Sequence, residues 1–199
     1  MGASTVVLAT RNAGKVRELA RILGSAVDLV GLDGFPDAPD VAETGATFEE
    51  NAFLKARAIA AFTGLPAVAD DSGLCVDALN GMPGIFSARW AGRHGDDQAN
   101  LDLVLAQLAD VPDSRRGAHF YCAAAFVAGA SEHAVSGQVE GQLLRAPRGD
   151  GGFGYDPIFL PDGFSVTTAE MTAESKDEIS HRGKAFRALV PVITGTLTA

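Results

Sequence analysis

Apolar and polar positions along the chain follow two periods. Residues 4–9 (STVVLA) form a short β-branched run and predict a buried strand. Val16, Leu19, Ala20 and Leu23 then fall at i, i+3, i+4 and i+7, one face of a helix, with Gly24 as its stop. Residues 33–41, rich in Pro, Gly and Asp, read as loop. Thr47-Phe-Glu-Glu50 is a capping box for a second helix that ends before Gly64 and Pro66. Residues 67–69 predict a short strand ending in Asp70-Asp71-Ser72-Gly73. Residues 80–93 carry enough Gly and Pro to predict an ordered loop. The spacing of Leu101, Val104, Leu105 and Leu108 predicts a helix over 97–108. Residues 119–127 and 134–144 read as two strands of a hairpin around Gly129-Ala130-Ser131. A Gly-rich loop over 147–154 leads to a strand-like 157–160. Phe186, Leu189, Val190 and Ile193 mark a last helix, with Ser180 as N-cap. Helices interleaved with strands, some of them in a hairpin, predict an α/β fold with a mixed sheet.

Composition narrows the function classes. The chain has 199 residues, 47% hydrophobic and 21% charged, which suits one domain over 1–199 with a proper core. No apolar run approaches the ~18 residues of a membrane span. A net charge of −9 argues against a nucleic-acid partner, which needs a basic face. It favours a bridging cation for any small anionic ligand. Cys75 and Cys122 sit in apolar surroundings and read as buried thiols. The first residues show no secretory pattern, and Val6 breaks the myristoylation pattern after Gly2, so a cytoplasmic setting is expected.

Five segments carry candidate chemistry. Thr10, Arg11, Asn12, Ala13, Gly14 and Lys15 lie where a strand turns into a helix, a place whose backbone N–H groups bind phosphate. This is not a Walker A loop, and an ordinary connecting loop with a surface Lys is the alternative. Thr47, Asn51 and Lys55 line one helical stripe, either a solvated face or the wall of a polar cleft. Asp70 and Asp71 end a buried strand, where paired carboxylates suit Mg²⁺; an N-cap or an Asx-turn is the plainer alternative. Phe153, Gly154, Tyr155 and Asp156 belong to a Gly-rich loop that stacks on a base or merely turns around two core aromatics. Lys176, His181 and Arg182 place donors and cations at the start of the last helix. No zinc motif and no nucleophile elbow occurs.

Taken together and in order, TRNAGK, ETGATFEENAFLKA, ADDSGL, GGFGYDPIF and SHRGKA resemble the inosine triphosphate pyrophosphatase family, the non-canonical purine NTP pyrophosphatases or XTP/dITP diphosphatases. The motifs run from Thr10 to Ala185, nearly the whole chain. The resemblance implies an elongated, two-lobed α/β fold with a central twisted mixed sheet and a nucleotide cleft between the lobes. It implies a homodimer, dependence on Mg²⁺, and hydrolysis of ITP, dITP and XTP to the monophosphate and pyrophosphate. By motif, Thr10, Arg11, Asn12, Ala13, Gly14 and Lys15 would hold the triphosphate, with Asn51 and Lys55 assisting. Glu43 and Asp71 would bind the metal, with Asp71 as catalytic acid–base. Ser72, Phe153, Gly154, Tyr155, Asp156, Lys176, His181 and Arg182 would contact the nucleotide. Rival readings are a nucleotide-binding regulator without turnover and a pyrophosphatase for other modified nucleotides.

Overall fold

The structure, a computed structural model, describes residues 5–23 and 27–198; Ser4 and the Gly24 helix stop lie outside them. The fold is α/β, a mixed sheet flanked by helices. In chain order the elements are β1 (Thr5–Leu8), α1 (Ala13–Leu23), β2 (Asp28–Gly31), α2 (Phe48–Thr63), β3 (Ala67–Val76), β4 (Met82–Pro83), α3 (Asp97–Gln107), β5 (Gly117–Ala128), β6 (Ser131–Leu143), β7 (Phe159–Pro161), α4 (Ala173–Ile179) and α5 (His181–Thr198). The sheet runs β2-β1-β3-β5-β6-β7, with β4 on β3. β1 pairs parallel with β2 and β3, whereas β4 on β3 and β7 on β6 are antiparallel. Its neighbours on both sides leave β1 buried, which suits the unbroken apolar run Val6-Val7-Leu8.

The chain divides into two compact units. Unit 1 holds residues 1–71, 122–137 and 182–199; unit 2 holds 72–121 and 138–181. The core of unit 1 joins Val6 and Leu8 of β1, Leu19 and Leu23 of α1, Val68 of β3, Cys122, Ala124 and Phe126 of β5, and Phe186, Leu189 and Ile193 of α5. That of unit 2 joins Leu74 and Val76 to Leu101, Val104 and Leu108 of α3, with Phe120, Leu143, Tyr155 and Phe159.

The predicted helices form where their apolar spacing placed them. Thr47 caps α2 by accepting the Glu50 N–H, and Gly64 closes it with its own N–H on Ala60 O. The hairpin is longer than expected, with β5 and β6 joined through Gly129 and Ala130. Residues 80–93 form the short β4 and a 3₁₀ turn over Gly84–Arg89. Two differences stand out. The strand expected to end at Asp70 runs on through Asp71, Ser72 and Gly73 to Val76. The chain resumes an apolar run at Leu74-Cys75-Val76 and pairs there with Met82 and Pro83. Two elements had no apolar pattern to announce them: the four-residue β2 and the charged α4, which Thr172 caps through the Ser175 N–H. Ser180 directly precedes α5 in extended conformation, its own N–H on Lys176 O.

Arg116 is the largest wholly buried side chain of unit 2. Its guanidinium donates to Leu143 O at 2.9 Å, Leu108 O at 2.7 Å and Leu144 O at 2.8 Å, tying the end of α3 to β6. Removing the donor strands three carbonyls. Arg116→Leu is expected to lower the unfolding free energy by about 3 kcal/mol, read from the urea midpoint. A midpoint within error of the parent would show that this clamp carries no stability.

Candidate active site

Successive side chains on a strand point to opposite faces, so the adjacent acids Asp70 and Asp71 of β3 enter different surroundings. Both are buried. Asp70 Oδ2 accepts from Lys15 Nζ at 2.9 Å and from Arg182 Nε at 3.3 Å. Arg182 in turn donates from Nη1 to Glu18 Oε2 at 3.0 Å. Burial opposes the charge on Asp70, but Lys15, Arg182 and Lys55 outweigh it and hold the carboxyl well below the usual carboxylate range. Burial opposes the charge on Arg182 as well, and Glu18 and Asp70 still raise its pKa above the ordinary guanidinium value.

Asp71 has a polar but less neutralising shell. Its Oδ2 accepts from Asn51 Nδ2 at 3.1 Å. Its Oδ1 lies 3.6 Å from Lys55 Nζ, and the same ammonium is 2.6 Å from Glu43 Oε1. The two carboxylates therefore lie within about 6 Å of each other, with one cation between them. Burial pushes the Asp71 pKa up, Glu43 adds to the push and Lys55 resists it. For Lys55, burial works against the charge, and Asp71, Asp70 and Glu43 together raise the pKa. A hard, all-oxygen, part-buried pair that already gathers a cation has donors that suit a hard divalent metal ion.

The loop bearing Glu43 is fixed by α2. Asn51 is wholly buried and accepts the Gly45 N–H on Oδ1 at 2.8 Å, while its amide holds Asp71. Glu50 donates its N–H to the N-cap Thr47 Oγ1 and reaches back one residue further with its side chain, accepting the Ala46 N–H at 2.6 Å. A Cβ at position 45 would collide with Glu50 Cβ and Asn51 Oδ1, so the loop passes the helix only as glycine.

The first loop departs from expectation. The N–H groups of Gly14 and Lys15 are already held by Asn12 Oδ1, at 2.9 and 3.1 Å. Asn12 thus caps α1, and these two donors do not form the open cradle that the strand-to-helix position suggested. Thr10 Oγ1 accepts the Asn12 N–H at 3.2 Å. Arg11 turns to Ala38 O at 2.6 Å and Asp40 at 3.3 Å.

Unit 2 carries a second group. Asp156 is buried; its Oδ2 accepts from Lys176 Nζ at 2.5 Å and from the Phe153 N–H at 2.8 Å, and its Oδ1 accepts from Thr168 Oγ1 at 2.9 Å. The Lys176 ammonium also lies 5.2 Å from the centroid of the Phe153 ring. Tyr155, expected to meet a nucleotide, buries its ring and donates its hydroxyl to Ser87 O at 2.8 Å; burial first, then Asp97, raises its pKa. The His181 imidazole is buried and stacks on Phe120, centroids 4.9 Å apart and 11° from parallel. Ser72 follows Asp71 on β3, half-buried.

Unit 1 thus gathers Lys15, Glu43, Asn51, Lys55 and Arg182 around Asp70 and Asp71. Unit 2 gathers Phe153, Asp156 and Lys176. Glu18, Phe120 and Thr168 went unrecognised in the sequence. The only signal for Glu18 was an acid beside the apolar face of its helix; a buried acid needs a cation.

The family model described as Ham1 family matches residues 6–192. The chain belongs to the Ham1 family. It is 67% identical over 192 residues to a dITP/XTP pyrophosphatase of Streptomyces coelicolor, covering 94% of this chain and 96% of that one. It is 58% identical to a dITP/XTP pyrophosphatase of Nocardia farcinica, covering 97% and 96%. Among solved structures, the Coxiella burnetii HAM1 protein superposes with a TM-score of 0.87 at 42% identity, covering 96% of this chain and 99% of that one. The dITP/XTP pyrophosphatase of Mycobacterium abscessus gives 0.76 at 55% identity, covering 94% and 99%. Among the described residues of this Ham1-family chain, no helix is long and apolar enough to cross a membrane.

Asp70 supplies a pH test. Its carboxyl is more acidic folded than unfolded, so it stabilises the fold above its unfolded value, about pH 4, and that contribution is lost as pH falls further. Asp70→Asn is expected to cost about 3 kcal/mol at pH 7, since it leaves Lys15 and Arg182 without their shared anion. The deficit against the parent should shrink below about pH 4 in urea titrations. An equal deficit at pH 7 and pH 3 would contradict the assignment.

Proposed function

We propose that this chain hydrolyses non-canonical purine nucleoside triphosphates, ITP, dITP and XTP, to the nucleoside monophosphate and pyrophosphate. The names of the Streptomyces and Nocardia relatives support this reading. The observation that carries it is the single Lys55 ammonium between Glu43 and Asp71, a desolvated carboxylate pair gathered about a cation. Glu43 and Asp71 would hold Mg²⁺, which when bound neutralises phosphate charge and acidifies its water ligands.

The roles of the chain's own groups follow from their surroundings. A water attacks the α-phosphorus, the bond from that phosphorus to the bridging oxygen breaks, and pyrophosphate leaves with the electron pair. Asp71 takes the proton of the attacking water. Asn51 fixes its Oδ2, whereas Asp70 is held by Lys15 and Arg182 and serves as their anchor. Lys15 and Lys55 offset charge on the departing phosphates, and Thr10, Arg11, Asn12, Ala13 and Gly14 shape the loop beside them. Ser72 assists next to Asp71.

The base contacts are those that the motif resemblance implies. Phe153 stacks on the purine within the loop of Gly154, Tyr155 and Asp156, with Lys176 behind it. His181 donates to the 6-oxo group of hypoxanthine or xanthine, with Arg182, held by Glu18 and Asp70 at the start of α5, as a further donor. Adenine presents an amino donor at that position, and a buried donor left unpaired discriminates by about 10⁴. Residues 1–199 act as one catalytic domain in a cytoplasmic homodimer, as the sequence resemblance implies.

A panel of nucleoside triphosphates with Mg²⁺, scored for pyrophosphate against orthophosphate, tests the reaction. Pyrophosphate with ITP and XTP is expected; orthophosphate as the main product would move the attack to the γ-phosphorus and overturn the reading. Asp71→Asn is expected to lower kcat about 10²–10⁴-fold while the protein stays folded. His181→Ala should erode the preference for ITP over ATP, and an unchanged ratio would remove His181 from base recognition.

A further inference from the structure

We infer that Asp97, in the first turn of α3, is a positioning residue that holds the Phe153 loop in shape for the nucleotide. The inference rests on the proposed stacking role of Phe153. Gly152 and Gly154, on either side of Phe153, take φ of +73° and +62°. Both lie in the left-handed region that only glycine enters at no steric cost. The backbone on either side of the ring therefore has little conformational preference of its own, and the position of Phe153 depends on what grips its neighbours.

Besides the Gly151 N–H on Ala169 O and the Lys176 ammonium near the ring, three hydrogen bonds grip the loop. The Phe153 N–H donates to Asp156 Oδ2, within the loop itself. The Tyr155 hydroxyl donates to Ser87 O. The Gly154 N–H donates to Asp97 Oδ2 at 2.9 Å, across 57 residues of sequence. Of the three, only the Asp97 bond ties the backbone next to Phe153 to a different, regular element. An acid at a helix start usually serves the helix, but Asp96 already does so, accepting the Ala99 N–H at 3.2 Å. The Asp97 carboxylate stands at the positive end of α3 and is turned to the loop.

The test uses the full chain with ITP and Mg²⁺, together with hydrogen exchange at the Gly154 amide of the free protein. In Asp97→Ala, that amide is expected to exchange about tenfold faster and KM for ITP to rise about fivefold, with kcat changed less than about twofold. Asp97→Asn keeps an acceptor oxygen and should restore both. Unchanged Gly154 exchange in Asp97→Ala overturns the inference. Faster exchange with unchanged KM also overturns it when Phe153→Ala does raise KM. If Phe153→Ala itself leaves KM unchanged, the stacking role falls and the inference with it.

Discussion

Two adjacent carboxylates buried in mid-sheet impose the constraint on which the rest of unit 1 depends. An ionised carboxylate out of water needs compensation worth several kcal/mol, and neighbouring acids repel. The strand resolves this by its period of two. Asp70 shares a face with Val68, whose side chain packs with α1 and α5, and from those helices come Lys15, Glu18 and Arg182. Asp71 projects to the other face, where α2 supplies Asn51 and Lys55. Adjacent identical residues thereby acquire opposite characters, one strongly acidic and the other pushed upward.

The same arrangement explains why so few of these groups sit on free loop. Asp71 is in a strand, and Asn51 and Lys55 lie one turn apart on a capped helix. Glu43, the one loop acid, is held by a backbone that Asn51 and Glu50 pin down through the Gly45 and Ala46 N–H groups. Rigid elements fix side-chain geometry more tightly than loops do, which suits a site whose work is electrostatic. Unit 2 solves its own problem differently: a glycine-hinged loop is gripped from outside by Asp97 and Ser87 and from within by Asp156.

Much of this was legible in the sequence. The apolar spacing of Val16, Leu19 and Leu23, the Thr47–Glu50 capping box and the β-branched runs sufficed for α1, α2 and β1, because each is a local pattern tied to one period. The motif set gave the family, and with it the residues that unit 1 brings together. What escaped was set by partners distant in sequence. Asp70-Asp71-Ser72-Gly73 looks like a strand end, since strands rarely bury acids; the cations Lys15, Arg182 and Lys55 that compensate the burial are distant in sequence. The Asn12 cap went unread because its side chain competes for the helix N–H groups that the loop otherwise offers to phosphate. Four residues of β2 and the charged α4 carry too little periodicity to show.

The division between the faces of β3 bears on how such a chain can change. Asp70 is held by two cations, one of them the wholly buried Arg182 with its second anion Glu18, so any change there disturbs a four-charge network and the core behind it. Asp71 is met by the Asn51 amide and by the Lys55 ammonium that it shares with Glu43, while Lys15 stays with Asp70. On the proposed reading, an anionic substrate that draws Lys55 away would leave Glu43 and Asp71 as a stronger cation site. In that reading, Asp70 serves stability on one face and Asp71 serves chemistry on the other, with a single peptide bond between them.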